Sequence, residues 1–278
     1  MDHQGQFRRA ALELGIPGDE ISTFTSHLRV TIRLGGRGRS GGAPVGQYGG
    51  RPVGVDSSLP FIFSVDCAAL PEVDGFALPA DGTLLFFLDH EKDHLDDAAW
   101  EHRYARVVHV PAGTDLTFEG KEYDLTATLV ADLPDWIDPD EDEDEDEDDL
   151  SPFQEQLARD LERDLPHLDD LRALADELWP RDSGLATAYL GGYLDDEVIT
   201  SIAEQSLATR EKAGEITVPV AKWYSHLERE KHRLSSEWVS LARFTLSDDF
   251  YRGTFVIRHD DLAAGRVDRA LSVTEFSE

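Results

Sequence analysis

Cysteine is nearly missing from this chain of 278 residues; Cys67 is the single one. An intrachain disulfide and a thiolate metal cluster are thereby excluded, and a reducing, cytoplasmic setting is the expectation. Cys67 follows an apolar segment and reads as a buried, inert thiol rather than a nucleophile. Long apolar runs are missing too. No stretch approaches the ~20 residues needed to span a bilayer, so no membrane partner is expected. The first residues, Met1-Asp2-His3-Gln4, lack the basic-then-apolar layout of a secretory signal. Basic residues are scarce, 26 Lys plus Arg against 57 Asp plus Glu, for a net charge of −31. Such a chain repels phosphate backbones, which argues against nucleic acid as a partner. The acid excess has two readings: solubility or adaptation to salt, or an acidic face that imitates nucleic acid or meets a basic partner. A Gly-Lys-Ser/Thr phosphate loop, a Gly-x-Gly-x-x-Gly fingerprint set between a strand and a following helix, and a Ser-His-Asp constellation are also missing, and no cofactor is expected.

What the chain does have is a set of short, aromatic and β-branched runs bounded by Pro, Gly or Asp, which predict buried strands. Leu59-Pro60-Phe61-Ile62-Phe63-Ser64-Val65 leads through a loop around Pro71 and Gly75 to Gly82-Thr83-Leu84-Leu85-Phe86-Phe87-Leu88. Near the other end, Trp238-Val239-Ser240-Leu241-Ala242-Arg243-Phe244 is followed by Gly253-Thr254-Phe255-Val256-Ile257-Arg258. The repeated order of strand, loop, Gly-Thr and strand predicts an internal duplication that builds two halves of one β-rich core.

Ahead of these runs, Phe7 to Leu14 has helical spacing and stops at Gly15 and Pro17. Ser26 to Leu34 alternates, with Leu28, Val30, Ile32 and Leu34 on one side, and predicts a half-buried strand. Gly35 to Gly50 is rich in glycine, and no acidic residue occurs between Glu20 and Asp56. Arg29, Arg33, Arg37, Arg39 and Arg51 make this window a positive island in an acidic chain. Glycine lets a backbone approach an anion and arginine supplies forked donors, so Arg33, Arg37, Arg39 and Arg51 are candidate anion-binding residues. A plain surface loop, or docking onto the chain's own acids, would account for the same composition.

Taken together, Gly41-Gly42-Ala43-Pro44, the strand from Leu59 to Asp66 and Leu78-Pro79-Ala80-Asp81-Gly82-Thr83-Leu84-Leu85-Phe86-Phe87 carry a resemblance. The chain resembles the bacterial YwqG-like family, domain of unknown function 1963. Leu190-Gly191-Gly192-Tyr193, Trp238-Val239-Ser240-Leu241, Gly253 to Ile257 and Asp261-Leu262 are similar to its later segments. The Gln that the family usually carries in each central strand is replaced here, at or beside Ser64 and Arg243. The resemblance implies a β-rich fold with internal pseudo-symmetry and carries no settled activity with it.

After the second strand, His90-Glu91-Lys92-Asp93-His94 matches His-Glu-x-x-His, the spacing that puts two imidazoles on one helical face with a Glu as base. His90 and His94 are therefore candidate metal ligands, with Glu101, His102 or His109 as conceivable third ligands. The charged Lys92 and Asp93 at the centre favour a solvated helix start instead. Further strands are predicted over Tyr104–Val110 and Tyr123–Val130. Asp135 to Asp149 carries twelve acids and no base, which predicts a disordered acidic insertion. Ser151-Pro152 opens a helix whose leucines recur from Leu157 to Leu178, interrupted at Pro166. Asp195–Lys212 and Ala221–Leu234 are two more amphipathic helices, and the last strands run to Phe276.

The expected fold is α+β, a β-rich core with internal pseudo-duplication and helices, mainly between residues 151 and 234, inserted between the two halves. The chain is expected to form one domain over 1–278, its core about 24–276. Two functions fit: a non-catalytic cytoplasmic binding protein with a protein partner, the inhibitor or immunity kind being one form of it, or a zinc-dependent hydrolase built on His90, Glu91 and His94.

Overall fold

The computed structural model describes residues 2–35, 42–55, 58–94, 103–134, 136–137, 152–180, 186–246 and 251–276. In chain order the elements are α1 (His3–Glu13), α2 (Gly18–His27), β1 (Arg29–Gly35), β2 (Gly46–Tyr48), β3 (Arg51–Val53), β4 (Phe61–Asp66), β5 (Thr83–Leu88), α3 (His90–His94), β6 (Ala105–Val110), β7 (Thr117–Glu119) and β8 (Tyr123–Asp132). There follow α4 (Pro152–Asp164), α5 (Leu168–Leu178), β9 (Ala188–Leu190), α6 (Asp196–Lys212), α7 (Trp223–Glu237), β10 (Trp238–Thr245), β11 (Tyr251–Arg258), α8 (His259–Ala263) and β12 (Leu271–Phe276). The class is α+β with a β-rich core. The chain divides into two compact units, one of residues 1–31, 72–74 and 129–183, the other of residues 32–71, 75–128 and 184–278.

The smaller unit is helical. Asp2 caps α1 by accepting from the Gly5 amide at 2.7 Å, and the leucines of α4 and α5 supply one face of the core. Phe7, Phe24, Leu171 and Trp179 pack there, with Phe7 stacked on Phe24 at 5.4 Å. Ile137, inside the acidic run, is buried in the same core. Asp135 and residues 138–149 of that run lie outside the described residues. The helix α2 departs from the sequence reading, which began a strand at Ser26; the strand begins at Arg29. Its Ser and Thr residues hide its helical character, yet Ser22 and Thr23 donate back to the carbonyls of Gly18 and Asp19, and Ile21 and Phe24 are buried.

The larger unit holds two sheets among the described residues. The first has ten strands in the order β12-β11-β10-β9-β1-β8-β2-β4-β5-β6, and the second pairs β3 with β7. Counted outward from the β1–β8 seam, each side has a three-residue strand and then a three-strand antiparallel meander. Registers match as well as order. Gly46 faces Leu125 and Val65, as Ala188 faces Leu34 and Phe244. After β2 come Gly49 and Gly50, and after β9 come Gly191 and Gly192, all four at φ between 69° and 92°. A left-handed pair of this kind is a conformation glycine adopts without steric cost. The first hairpin of each meander also carries a bulge on its first strand, between Phe61 and Phe63 and between Ser240 and Ala242. The duplication is thus present in connectivity, register and turns.

Aligned on the bulges, Phe86 of β5 corresponds to Phe255 of β11, and these two rings meet edge to face at 5.6 Å. Phe63 stacks on Phe86 at 4.3 Å, Phe244 on Phe255 at 6.0 Å, and Phe63 meets Phe244 at 5.5 Å. This buried quartet is the centre of the inner face. The two Gly-Thr pairs, which suggested the duplication, are not equivalent positions. Gly82 sits in the turn before β5 at φ 84°, while Gly253 lies inside β11, where a Cβ would come within 2.8 Å of the Phe244 ring. Volume is exchanged across the halves: Val65 faces Leu84 in one, Phe244 faces Gly253 in the other. On the outer face, Leu85, Phe87 and Val110 pack with Phe118 and Val55, whereas Val256, Leu271 and Val273 pack with Val198, Ile202, Leu227 and Leu234 of α6 and α7.

Candidate functional site

The His-Glu-x-x-His segment folds as the five-residue helix α3, directly after β5. The Asp89 amide donates to Tyr104 O at 2.8 Å, and Lys92 pairs with the Asp89 carboxylate at 2.5 Å. Asp93 decides how the helix is held. Its two carboxylate oxygens accept from Ser272 Oγ and Thr274 Oγ1, each at 2.7 Å, on β12. The charged position that looked wrong for a catalytic helix is thus an anchor to the last strand. The His90 ring lies 4.8 Å from that of Tyr251, and Glu91 is exposed. For His94 only the backbone is described. His109, on β6, has Nε2 2.8 Å from the Asp81 carbonyl oxygen, and Glu101 and His102 lie outside the described residues. Among the described residues there is no group of three or more His, Cys, Asp or Glu placed to hold a metal ion.

The arginine island is spread over two sheets. Arg33 is in β1 of the large sheet, 4% exposed and opposite Tyr189; Arg51 is in β3 of the small one, exposed and opposite Glu119. Arg37 and Arg39 lie outside the described residues. Cys67 is buried, and desolvation, with Asp66 beside it, pushes its thiol up to about 11, the behaviour of an inert thiol.

A cluster that sequence reading missed lies on the outer face of the second meander, at the start of α6. Asp195 precedes α6, and its Oδ1 accepts from Arg243 of β10, whose guanidinium lies 5.3 Å over the Tyr189 ring of β9. Arg252 of β11 approaches Asp195 Oδ2 at 3.9 Å. Across from Arg252 stands Glu275 of β12, whose side chain also reaches Glu197 in the first turn of α6. Burial, then the charges of Asp195 and Glu197, push the Glu275 carboxyl up to about 7, against the pull of Arg252. Glu275 Oε1 and Asp195 Oδ2 are buried with no hydrogen-bond donor. The one signal in sequence was Arg243, at or beside which the resemblance led a Gln to be expected. By register its counterpart in the first half is Ser64: Gln47 faces Ser64 as Tyr189 faces Arg243.

Residues 39–275 match the model of the family described as domain of unknown function (DUF1963), a span from ahead of β2 into the end of β12. The chain belongs to that family. Both β2 and β9, both meanders and the charged cluster fall inside the DUF1963 match, while α1, α2 and β1 precede it. A search of curated proteins found no match. No helix among the described residues is long and apolar enough to cross a membrane.

Proposed function

We propose that the protein is a non-catalytic binding protein that engages a protein partner, of the inhibitor or immunity kind, through the turn between α6 and α7. The observation that carries this reading is the exposure of Val220 and Tyr224, 93% and 66%, the first in the turn just before α7 and the second in the first turn of α7. Large apolar groups held out into solvent favour a contact anchor, and a net charge of −31 favours a basic partner. The use of Asp93 to fix α3 supports a structural rather than a catalytic part for that segment. The competing reading, a zinc hydrolase on His90, Glu91 and His94, draws only on α3 being helical over those residues.

Photo-crosslinking tests the proposal. A benzophenone side chain at position 220, introduced in the native host, should give one discrete adduct that disappears when Tyr224→Asp is added. Absence of an adduct, or an adduct indifferent to Tyr224→Asp, would count against it. About one zinc retained per chain after dialysis, lost in His90→Ala and accompanied by peptidase activity, would favour the hydrolase.

A further inference from the structure

We propose that the exposed side of α7 seats an acidic segment of the protein partner, an inference that rests on the reading that the turn between α6 and α7 engages that partner. The observation behind it is where carboxylates do not stand. The chain carries 57 Asp plus Glu, and α6 exposes Asp196, Glu197, Glu204 and Glu211. From Pro219 to Ser236 no exposed residue is an acid, while Lys222 and Arg229 are both exposed. The acids of α7 are turned onto cations or buried hydroxyls instead. Glu230, 5% exposed, accepts from Ser206 Oγ at 2.5 Å, from Arg210 at 3.1 Å and from Arg233 at 2.7 Å. Glu228 lies 3.7 Å from Lys231, and Glu237 accepts from Arg233 at 2.7 Å.

Lys222 and Arg229 have no carboxylate partner among the described residues. Two helical turns apart, they stand on one margin of the exposed side, and Tyr224, with Val220 ahead of it, stands on the other. Ser225 lies between the two cations. Its hydroxyl donates to Lys222 O, and Arg229 Nε donates to Ser225 O, each at 2.9 Å, which lays the arginine along the helix with its outer N–H groups left to donate. The middle of this side is built from the small Ala221 and Ser225, so a second chain can lie close to the helix. A segment that places an apolar residue on Val220 and Tyr224 and carboxylates on Lys222 and Arg229 satisfies both margins at once. Charges farther than about 8 Å are largely screened at physiological ionic strength. The net charge of −31 therefore steers the partner as a whole, while the contact is decided by the two cations within reach. A sheet of anionic lipid fits less well, because it would also face the acids that flank this side, such as those of α6.

The benzophenone at position 220 tests this in the native host, with the partner peptide it captures located by mass spectrometry. That peptide should be rich in Asp and Glu, and the adduct yield should fall about tenfold when Lys222→Glu and Arg229→Glu are combined. Both side chains are exposed, so the double variant keeps its fold. With the purified full chain, fluorescence anisotropy compares two synthetic amphipathic helical peptides, both with leucines on one side, one with glutamates and the other with lysines on the opposite side. The glutamate peptide should bind more tightly, and the double variant should weaken it about tenfold. An adduct undiminished in the double variant, a captured peptide rich in Lys and Arg, or no preference between the two synthetic peptides overturns the acidic segment and leaves the contact at Val220 and Tyr224 standing. Failure to form any adduct removes the contact itself. Vesicles of phosphatidylglycerol that bind the wild type but not the double variant overturn the proposal in favour of a lipid surface.

Discussion

The first half-sheet, β2·β4·β5·β6, and the second, β9·β10·β11·β12, share order, register, bulge and glycine turn, yet they differ on their outer faces. The row through Gln47 of the first half reads Gln47, Ser64, Leu85, Val108, and packs partly beneath an apolar cover that includes Phe118. The equivalent row of the second reads Tyr189, Arg243, Thr254, Val273, flanked by Asp195, Arg252 and Glu275. Inward residues are constrained by the shared Phe quartet, and some of their differences are compensating exchanges, as Val65 with Leu84 against Phe244 with Gly253. Outward residues have no partner from the other half to satisfy, so charge could accumulate on one side alone.

The comparison is broken most strongly at the quartet. Phe86→Ala and Phe255→Ala should each cost about 3–5 kcal/mol. Because the two rings touch, the double variant should cost less than the sum, measured by chemical denaturation of all four proteins. A large effect at one position and none at its counterpart would show that only one half supports the core. Next in size is the seam. A Cβ on Gly46 would come within 1.9 Å of the Ser64 carbonyl oxygen, so Gly46→Ala should cost about 3 kcal/mol, read as a fall in the denaturation midpoint. Its counterpart Ala188 already carries a Cβ, and Ala188→Gly should cost only about 1 kcal/mol. Smaller again is the α3 anchor. Ser272 corresponds to Val107 in the first half, so Ser272→Val imports the other half's residue and removes a donor to Asp93. The expected loss is about 2 kcal/mol, with proteolysis rising around His90–His94. Equal susceptibility in both proteins would mean that Thr274 suffices.

Much of this frame could be read from the residues. The strands β4, β5, β10 and β11 announce themselves through runs of Phe, Leu, Val and Ile between breakers, because both their faces are covered. β2 and β9 have three residues each, too few for a period, and their identity rests on long-range registers such as Ile32 with Leu190. Gly-Thr suggested the right duplication through a coincidence, one glycine being needed for a turn and the other for the space of a ring. His90-Glu91-Lys92-Asp93-His94 was visible as a motif, but the fate of Asp93 depends on hydroxyls near the other end of the chain. Glu275, Asp195 and Arg252 are unremarkable polar residues in sequence, and only sheet pairing makes them neighbours.

The β1–β8 seam has a consequence for how the chain reaches this state. Each meander pairs strands that follow one another in the chain, β4 to β5 to β6 and β10 to β11 to β12, across connections of at most 16 residues, and such comparatively local pairing is the faster kind. The strands between the meanders draw partners from far along the chain: Gly46 needs Leu125, and Leu34 needs Ala188. Their closure carries the larger loop entropy and is expected to come last. In pulse-labelled refolding, the amides of β5 and β11 should gain protection before those of β1. Until the seam forms, two three-stranded sheets with open edges coexist on one chain, and the mutual repulsion of its acids is then what keeps one molecule's edges from another's.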